Sequence, residues 1–254
     1  MDLPAVGLGT MGIDDPATIE RAIGLGYRHL DTAQIYDNES TVGDAIATSD
    51  VARSELTVAT KLWVDSLGPD DVRPGTAASL NRLGLDSADL LYVHRPRGDY
   101  DPGTTLPALD VAVDDGLADH VGLSNFEPEQ LETAREHLDA PIAAHQVEFH
   151  PFFQQDELLA DAQAHDYPLV AYSPLAGGKV FDDPVLDDIA DKYGTSPAAV
   201  AIAWLLGHDN VVTIPKASSE AHLRANLEAA ELTLDDADVA RIERIDETVE
   251  LYPE

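Results

Sequence analysis

Short apolar runs alternate with amphipathic stretches along this chain from end to end. Runs that read as buried strands fall at residues 5–8, 28–31, 56–61, 88–94, 120–124, 143–147, 169–173 and 211–214. Between them lie helical patterns with recognisable starts. One has Asp15 as cap, Pro16 in the first turn, and Ile19, Ala22 and Ile23 on one face. Another begins near Pro128 and turns Leu131, Ala134 and Leu138 inward. Eight strands, each followed by a helix, predict an α/β fold of the (β/α)8, or TIM-barrel, type. With no Pro-, Gly- or Ser-rich linker, residues 1–254 read as one barrel domain, and a final helix over 235–246 is expected outside it.

The polar positions change this picture from a fold to a site. Asp31, Lys61, His94, Ser124, Asn125, Gln146, Tyr172 and Lys216 fall at or just past the C-terminal ends of strands two to eight. Barrel enzymes build their active sites on that face. Any one of these residues could be a strand-end cap or a loop polar group; seven consecutive strands with the same pattern argue for a shared site.

Charge sets the environment. Forty-eight acidic residues face fifteen basic ones, for a net charge of −33. The acids are scattered through helical faces and loops, which points to adaptation to a salt-rich cytoplasm. At about 1 M salt the Debye length is about 3 Å, so such a surface scarcely repels itself. Nucleic acid is not expected as a partner, and the longest apolar run, 198–206, is too short to span a bilayer. The absence of cysteine excludes disulfides, thiolate metal sites and cysteine nucleophiles. His94, His145 and His150 have no further ligand at metal spacing, so no metal is expected. The chain reads as a cytoplasmic monomer acting on a small molecule. Surface lysine has been nearly eliminated, so two of the four that remain, Lys61 and Lys216, stand out at strand ends.

Asp31, Tyr36, Lys61 and His94 supply an acid, a phenol, an amine and an imidazole. A free phenol, with a pKa near 10, is a poor acid at neutral pH. A neighbouring ammonium is expected to lower that value, a carboxylate to hold the ammonium, and a histidine to orient a carbonyl oxygen. The chain has no hydride of its own, so a nicotinamide cofactor is implied. Tyr172 suits stacking on its ring, Ser124, Asn125 and Gln146 its carboxamide, and Lys216 a phosphate. Two other readings remain. The run Gly7 to Gly12 matches G-x-G-x-x-G, with Asp31 at ribose-binding distance, as in a Rossmann dehydrogenase. That scheme gives Tyr36, Lys61 and His94 no role, and a Gly-rich turn leaving the first barrel strand explains the glycines better. A non-catalytic nicotinamide-binding barrel would keep Ser124, Asn125, Gln146 and Lys216 without needing the other four.

The segment Gly26 to Gly43 resembles the N-terminal signature of the aldo-keto reductases; Val121 to Phe126, Ala171 to Leu175 and Val212 to Lys216 resemble later motifs of the same family, in the same order. The resemblance implies reduction of aldehydes or ketones to alcohols with NADPH or NADH, with Tyr36 as general acid. It implies a catalytic tetrad of Asp31, Tyr36, Lys61 and His94. Ser124, Asn125, Gln146 and Tyr172 would hold the nicotinamide, and Ser173, Leu175, Lys216 and Asn226 would line the rest of the cofactor cleft.

The chain also departs from the family pattern. Ala217 stands where the family has serine, and His222 where it has the arginine that grips the 2′-phosphate, so preference for NADPH over NADH is left open. Arg224 lies about half a helical turn from His222 and is not expected to substitute. At the substrate end, Met11 replaces an aromatic residue, Trp63 is kept, and Arg95 stands where tryptophan is common. Arg95 would favour carboxylate-bearing carbonyls such as keto acids or oxidised sugars. The segment after His94 and the C-terminal tail are short for the family, which predicts an open pocket.

Overall fold

A computed structural model describes residues 1–253 of the chain. Eight parallel strands run in the order β1 to β8: Leu8–Gly9, His29–Asp31, Thr57–Leu62, Ala88–Val93, Ala118–Ser124, Ile142–Glu148, Leu169–Tyr172 and Val211–Thr213. The sheet closes on itself through the Gly7 amide to the Thr213 carbonyl (2.8 Å) and the Thr213 amide to the Ala5 carbonyl (2.9 Å). The first strand starts later than its apolar run suggests. Residues 5–7 serve the β8 side of the closure, while Leu8 and Gly9 pair with Leu30 and Asp31 of β2. The Gly7–Gly12 segment is therefore the first barrel strand and its exit turn, which removes the Rossmann reading.

The helices that wrap the barrel are α1 Pro16–Leu25, α2 Glu39–Thr48, α3 Val72–Leu83, α4 Pro102–Asp114, α5 Pro128–His137, α6 Asp156–His165, α7 Pro184–Tyr193, α8 Pro197–Leu206, α9 Glu220–Glu228 and α10 Asp236–Ile242. Their starts follow the capping chemistry in the sequence. The Asp15 carboxylate accepts from the Ala17 amide at 3.1 Å ahead of Pro16, and Asp235 accepts from Asp238 at 2.9 Å. Two helices, not one, separate β7 from β8. α7 is amphipathic, whereas α8 is buried from Ala199 through Leu205 and packs against β8. α10 is shorter than expected and sits against α7, where Lys192 bridges Asp235 and Asp238.

Inside the barrel, large residues face glycines. A β-carbon on Gly7 would lie 2.6 Å from the His29 ring, and one on Gly122 would lie 2.4 Å from Tyr92. The interior is thus filled beneath the site by alternating large and absent side chains. His29 is fully buried, and burial pulls its pKa down to about 4, against the smaller upward pull of Asp31.

Candidate active site

The strand ends bring Asp31, Lys61, His94, Ser124, Gln146 and Tyr172 to one face of the barrel, with Tyr36 above them. Tyr36 ends a single turn at Gln34–Tyr36 that leads into α2. Two side chains fix that turn. The Gln34 side chain accepts from the Trp63 amide (2.8 Å) and donates to the Gly75 carbonyl (3.2 Å). The Asn38 amide group donates to the carbonyls of Thr10 (2.7 Å) and Ile13 (3.1 Å) and accepts from the Thr32 hydroxyl (3.0 Å).

Lys61 is wholly buried. Its ammonium donates to Asp31 Oδ1 at 2.5 Å and to the Thr32 carbonyl at 2.9 Å, while the Gln146 amide donates to Asp31 Oδ2 at 2.7 Å. The ammonium also lies 5.1 Å from the centroid of the Tyr36 ring. Desolvation opposes the charge on Lys61, but Asp31 and Tyr36 together outweigh it and raise the pKa, so the amine stays protonated. Tyr36 departs from expectation. Burial raises the phenol's pKa, and the opposing pull of Lys61 does not bring it below the ordinary value. The phenol is therefore neutral, and a neighbouring ammonium would favour the phenolate only as that charge formed.

The His94 ring meets Tyr36 edge-on at 5.8 Å and Trp63 at 5.0 Å. Burial, then Lys61, Arg95 and Arg97, pull its pKa down to about 2, so the imidazole is neutral and carries a single N–H. These groups floor a cleft of about 420 Å³, whose walls include Met11, Ile35, Trp63, Arg95 and Ile214.

Along the same cleft, Asn125 takes a left-handed backbone (φ 60°) at the end of β5 and turns its amide to the His94 carbonyl (3.0 Å) and to Ser124 Oγ (3.1 Å). The Tyr172 hydroxyl donates to Asn125 Oδ1 at 2.9 Å. Ser173 and Lys216 continue the lining toward the mouth. Three of the four lysines are paired: Lys61 with Asp31, Lys179 with Glu247, and Lys192 with Asp235 and Asp238. Lys216 is exposed and makes no ion pair with any described residue, despite an excess of acids. A cation left open at the mouth, with a phenol and an amide set farther in, fits a phosphate-bearing nicotinamide cofactor.

The structure does not bring every expected residue to the cleft lining. Leu175 is half-buried against the core. Asn226 is buried on the inner face of α9, close to the Tyr27 hydroxyl, which itself donates to the Leu223 carbonyl at 3.0 Å. His222 is exposed on α9, and Arg224 pairs with Glu220 at 3.2 Å, so it offers no substitute fork. The pocket is also less open than the short tail suggests, because Tyr252 stands at its rim, 5.9 Å from the Tyr172 ring. Tyr252 carries no sequence signal, since the tail around it is irregular. Ile35 was legible only as the apolar residue beside Tyr36.

A model of the family described as aldo/keto reductase matches residues 5–247. The methylglyoxal reductase DkgB of Escherichia coli O157:H7 is 38% identical, over 97% of this chain and 94% of that protein. Among solved structures, an aldo/keto reductase from Brucella melitensis is 34% identical, with a TM-score of 0.89 over 96% of this chain and 95% of the other. An aldo-keto reductase from a Medee basin deep-sea metagenome is 30% identical, with a TM-score of 0.94 over 100% and 95% of the two chains. On the match over most of its length, with the barrel and the strand-end site described above, the chain belongs to the aldo/keto reductase family.

Proposed function

We propose that this reductase converts small aldehydes and ketones to alcohols with Tyr36 as the proton donor, Lys61 and Asp31 as the pair that tunes it, and His94 as the group that orients the carbonyl. One observation carries the reading: a neutral, half-buried phenol beside a buried ammonium–carboxylate pair at the floor of an apolar cleft. When bound, NAD(P)H supplies the hydride. The chain's own residues do the rest. The neutral His94 donates its N–H to the carbonyl oxygen, and the Tyr36 hydroxyl gives its proton to the same oxygen as negative charge builds there. Lys61 stabilises the phenolate left behind, and Asp31, held by Gln146, keeps the ammonium in place. Tyr172, Asn125 and Ser124 suit the nicotinamide, with Ser173 and Lys216 along the rest of the cofactor. Aldehyde-dependent oxidation of NADH and NADPH tests the activity, with methylglyoxal as substrate and the alcohol identified as product. No turnover with either cofactor would favour a non-catalytic nicotinamide-binding barrel.

Two finer readings belong with this one. Arg95 lines the cleft near His94, which supports a preference for carbonyls that carry a carboxylate, such as keto acids or oxidised sugars. The ratio of kcat/KM for a keto acid to that for its neutral ester is expected to fall in Arg95→Ala; an unchanged ratio removes the assignment. The charge of −33 supports a salt-adapted, cytoplasmic, monomeric enzyme whose folding and cofactor affinity both improve towards molar KCl. A thermal midpoint that falls with added KCl would contradict that.

A further inference from the structure

The segment after α10 passes along the active-site rim at Leu251 and Tyr252, and a buried carboxylate holds it there. Glu148, the last residue of β6, is only 3% exposed. Its Oε1 accepts from the Leu251 amide at 2.7 Å and faces His150 Nε2 at 2.9 Å, and its Oε2 accepts from the Tyr252 amide at 3.1 Å. The approach to this anchor is also fixed. The Val249 amide donates to the Phe152 carbonyl at 2.9 Å, and Glu247 pairs with Lys179 at 3.0 Å. Hydrogen bonds from backbone amides to an ionised carboxylate are about twice as strong as neutral ones. Without the tail, the same carboxylate would lose two donors in a buried position, which is costly.

The tail thereby places Tyr252 edge-on to Tyr172, with the two ring planes 71° apart. Tyr252 and Tyr172 line both the 420 Å³ cleft above Tyr36 and a neighbouring cleft of about 580 Å³ between the loops after β5 and β6. Tyr252 is therefore a partition between two spaces.

We propose that Glu148 is a positioning residue that seats Tyr252, through the backbone of the tail, as the wall that limits the size of carbonyl the cleft accepts. The inference rests on the reading of the 420 Å³ cleft as the carbonyl site. With the wall unseated, the two clefts merge and bulky carbonyls enter, while small ones lose part of their enclosure.

The test compares wild type, Glu148→Gln, Glu148→Ala, Tyr252→Ala and the Glu148→Ala/Tyr252→Ala double variant. Each is assayed with NADPH and NADH on methylglyoxal and on 2-naphthaldehyde, with wild-type turnover of methylglyoxal as the control for the functional reading. The ratio of kcat/KM for naphthaldehyde to that for methylglyoxal should rise about tenfold in Tyr252→Ala, the scale on which apolar pockets discriminate size. Glu148→Ala should show a similar rise, and the double variant should go no further than either single one, because both changes remove the same wall. Glu148→Gln, which keeps one accepting oxygen, should fall between wild type and Glu148→Ala. Amide hydrogen exchange reads the seating without turnover. Exchange at Leu251 and Tyr252 should speed at least tenfold in Glu148→Gln, while the amides of β6 stay protected. The proposal is overturned by an unchanged ratio in Glu148→Ala, by effects that multiply in the double variant, or by wild-type exchange rates at Leu251 and Tyr252 in Glu148→Gln.

Discussion

Replacing Lys61 with methionine separates two jobs proposed for the ammonium. The first is structural. The Lys61–Asp31 pair is buried at 2.5 Å, and removing one partner of such a pair typically costs about 3–5 kcal/mol. Asp31 would keep the Gln146 donor at 2.7 Å, which places the expected cost at the lower end, about 3 kcal/mol. The second job is catalytic. At 5.1 Å from the Tyr36 ring and an effective dielectric of about 20, the ammonium stabilises a full phenolate charge by about 3 kcal/mol, or about a hundredfold in rate. Pairing Lys61→Met with Asp31→Asn distinguishes the two. The double variant carries no stranded charge, so urea unfolding in molar KCl should find it more stable than Lys61→Met alone. Its kcat should remain about a hundredfold below wild type, because the ammonium is still missing. Turnover in Lys61→Met within fivefold of wild type would refute the electrostatic role, and a double variant whose losses simply add would refute the coupling.

Further outcomes follow from the protonation states and from the phosphate end. Tyr36 is held above the ordinary phenol pKa and His94 is drawn down to about 2, so reductive kcat should be flat from about pH 6 to 9. A limb inside that window that vanishes in His94→Asn would contradict the neutral imidazole. His29, His145 and His94 have folded pKa values of about 4, 3 and 2, below the unfolded value of about 6.5. The unfolded chain therefore binds more protons as pH falls, and the stability present above pH 6.5 is lost on acidification. Unfolding free energy in molar KCl should drop by about 5 kcal/mol between pH 7 and 5, and a drop under 1 kcal/mol would show that these rings are not buried neutral. At the phosphate end, fluorescence titration should give NADPH and NADH dissociation constants within about tenfold of each other, and His222→Arg should favour NADPH by about another tenfold, the scale of one charge-assisted hydrogen bond. A hundredfold wild-type preference for NADPH would point to a phosphate ligand other than position 222.

The central site was legible because a parallel barrel gathers strand ends on one face. Once Asp31, Lys61 and His94 were placed at the ends of their strands, proximity followed from topology. Other features depend on quantities that spacing does not carry. The net rise in the Tyr36 pKa is set by burial, which is a property of the assembled cleft. The start of β1 depends on which neighbour each backbone amide bonds, so an apolar run at 5–8 does not fix it. The inward turn of Asn226 is a matter of helical register in α9. Glu148 and Tyr252 were hidden for a further reason. The carboxylate binds tail amides 103 and 104 residues away, and any residue but proline offers such an amide.

The proton on the Tyr36 hydroxyl is the centre of the proposed mechanism, and Tyr36→Phe tests it most directly. The decisive measurement is the single-turnover rate of methylglyoxal reduction alongside the cofactor dissociation constant, both in molar KCl. Loss of a positioned general acid predicts a rate about a thousandfold lower with cofactor binding unchanged. A rate within tenfold of wild type would contradict the assignment of Tyr36 as the proton donor.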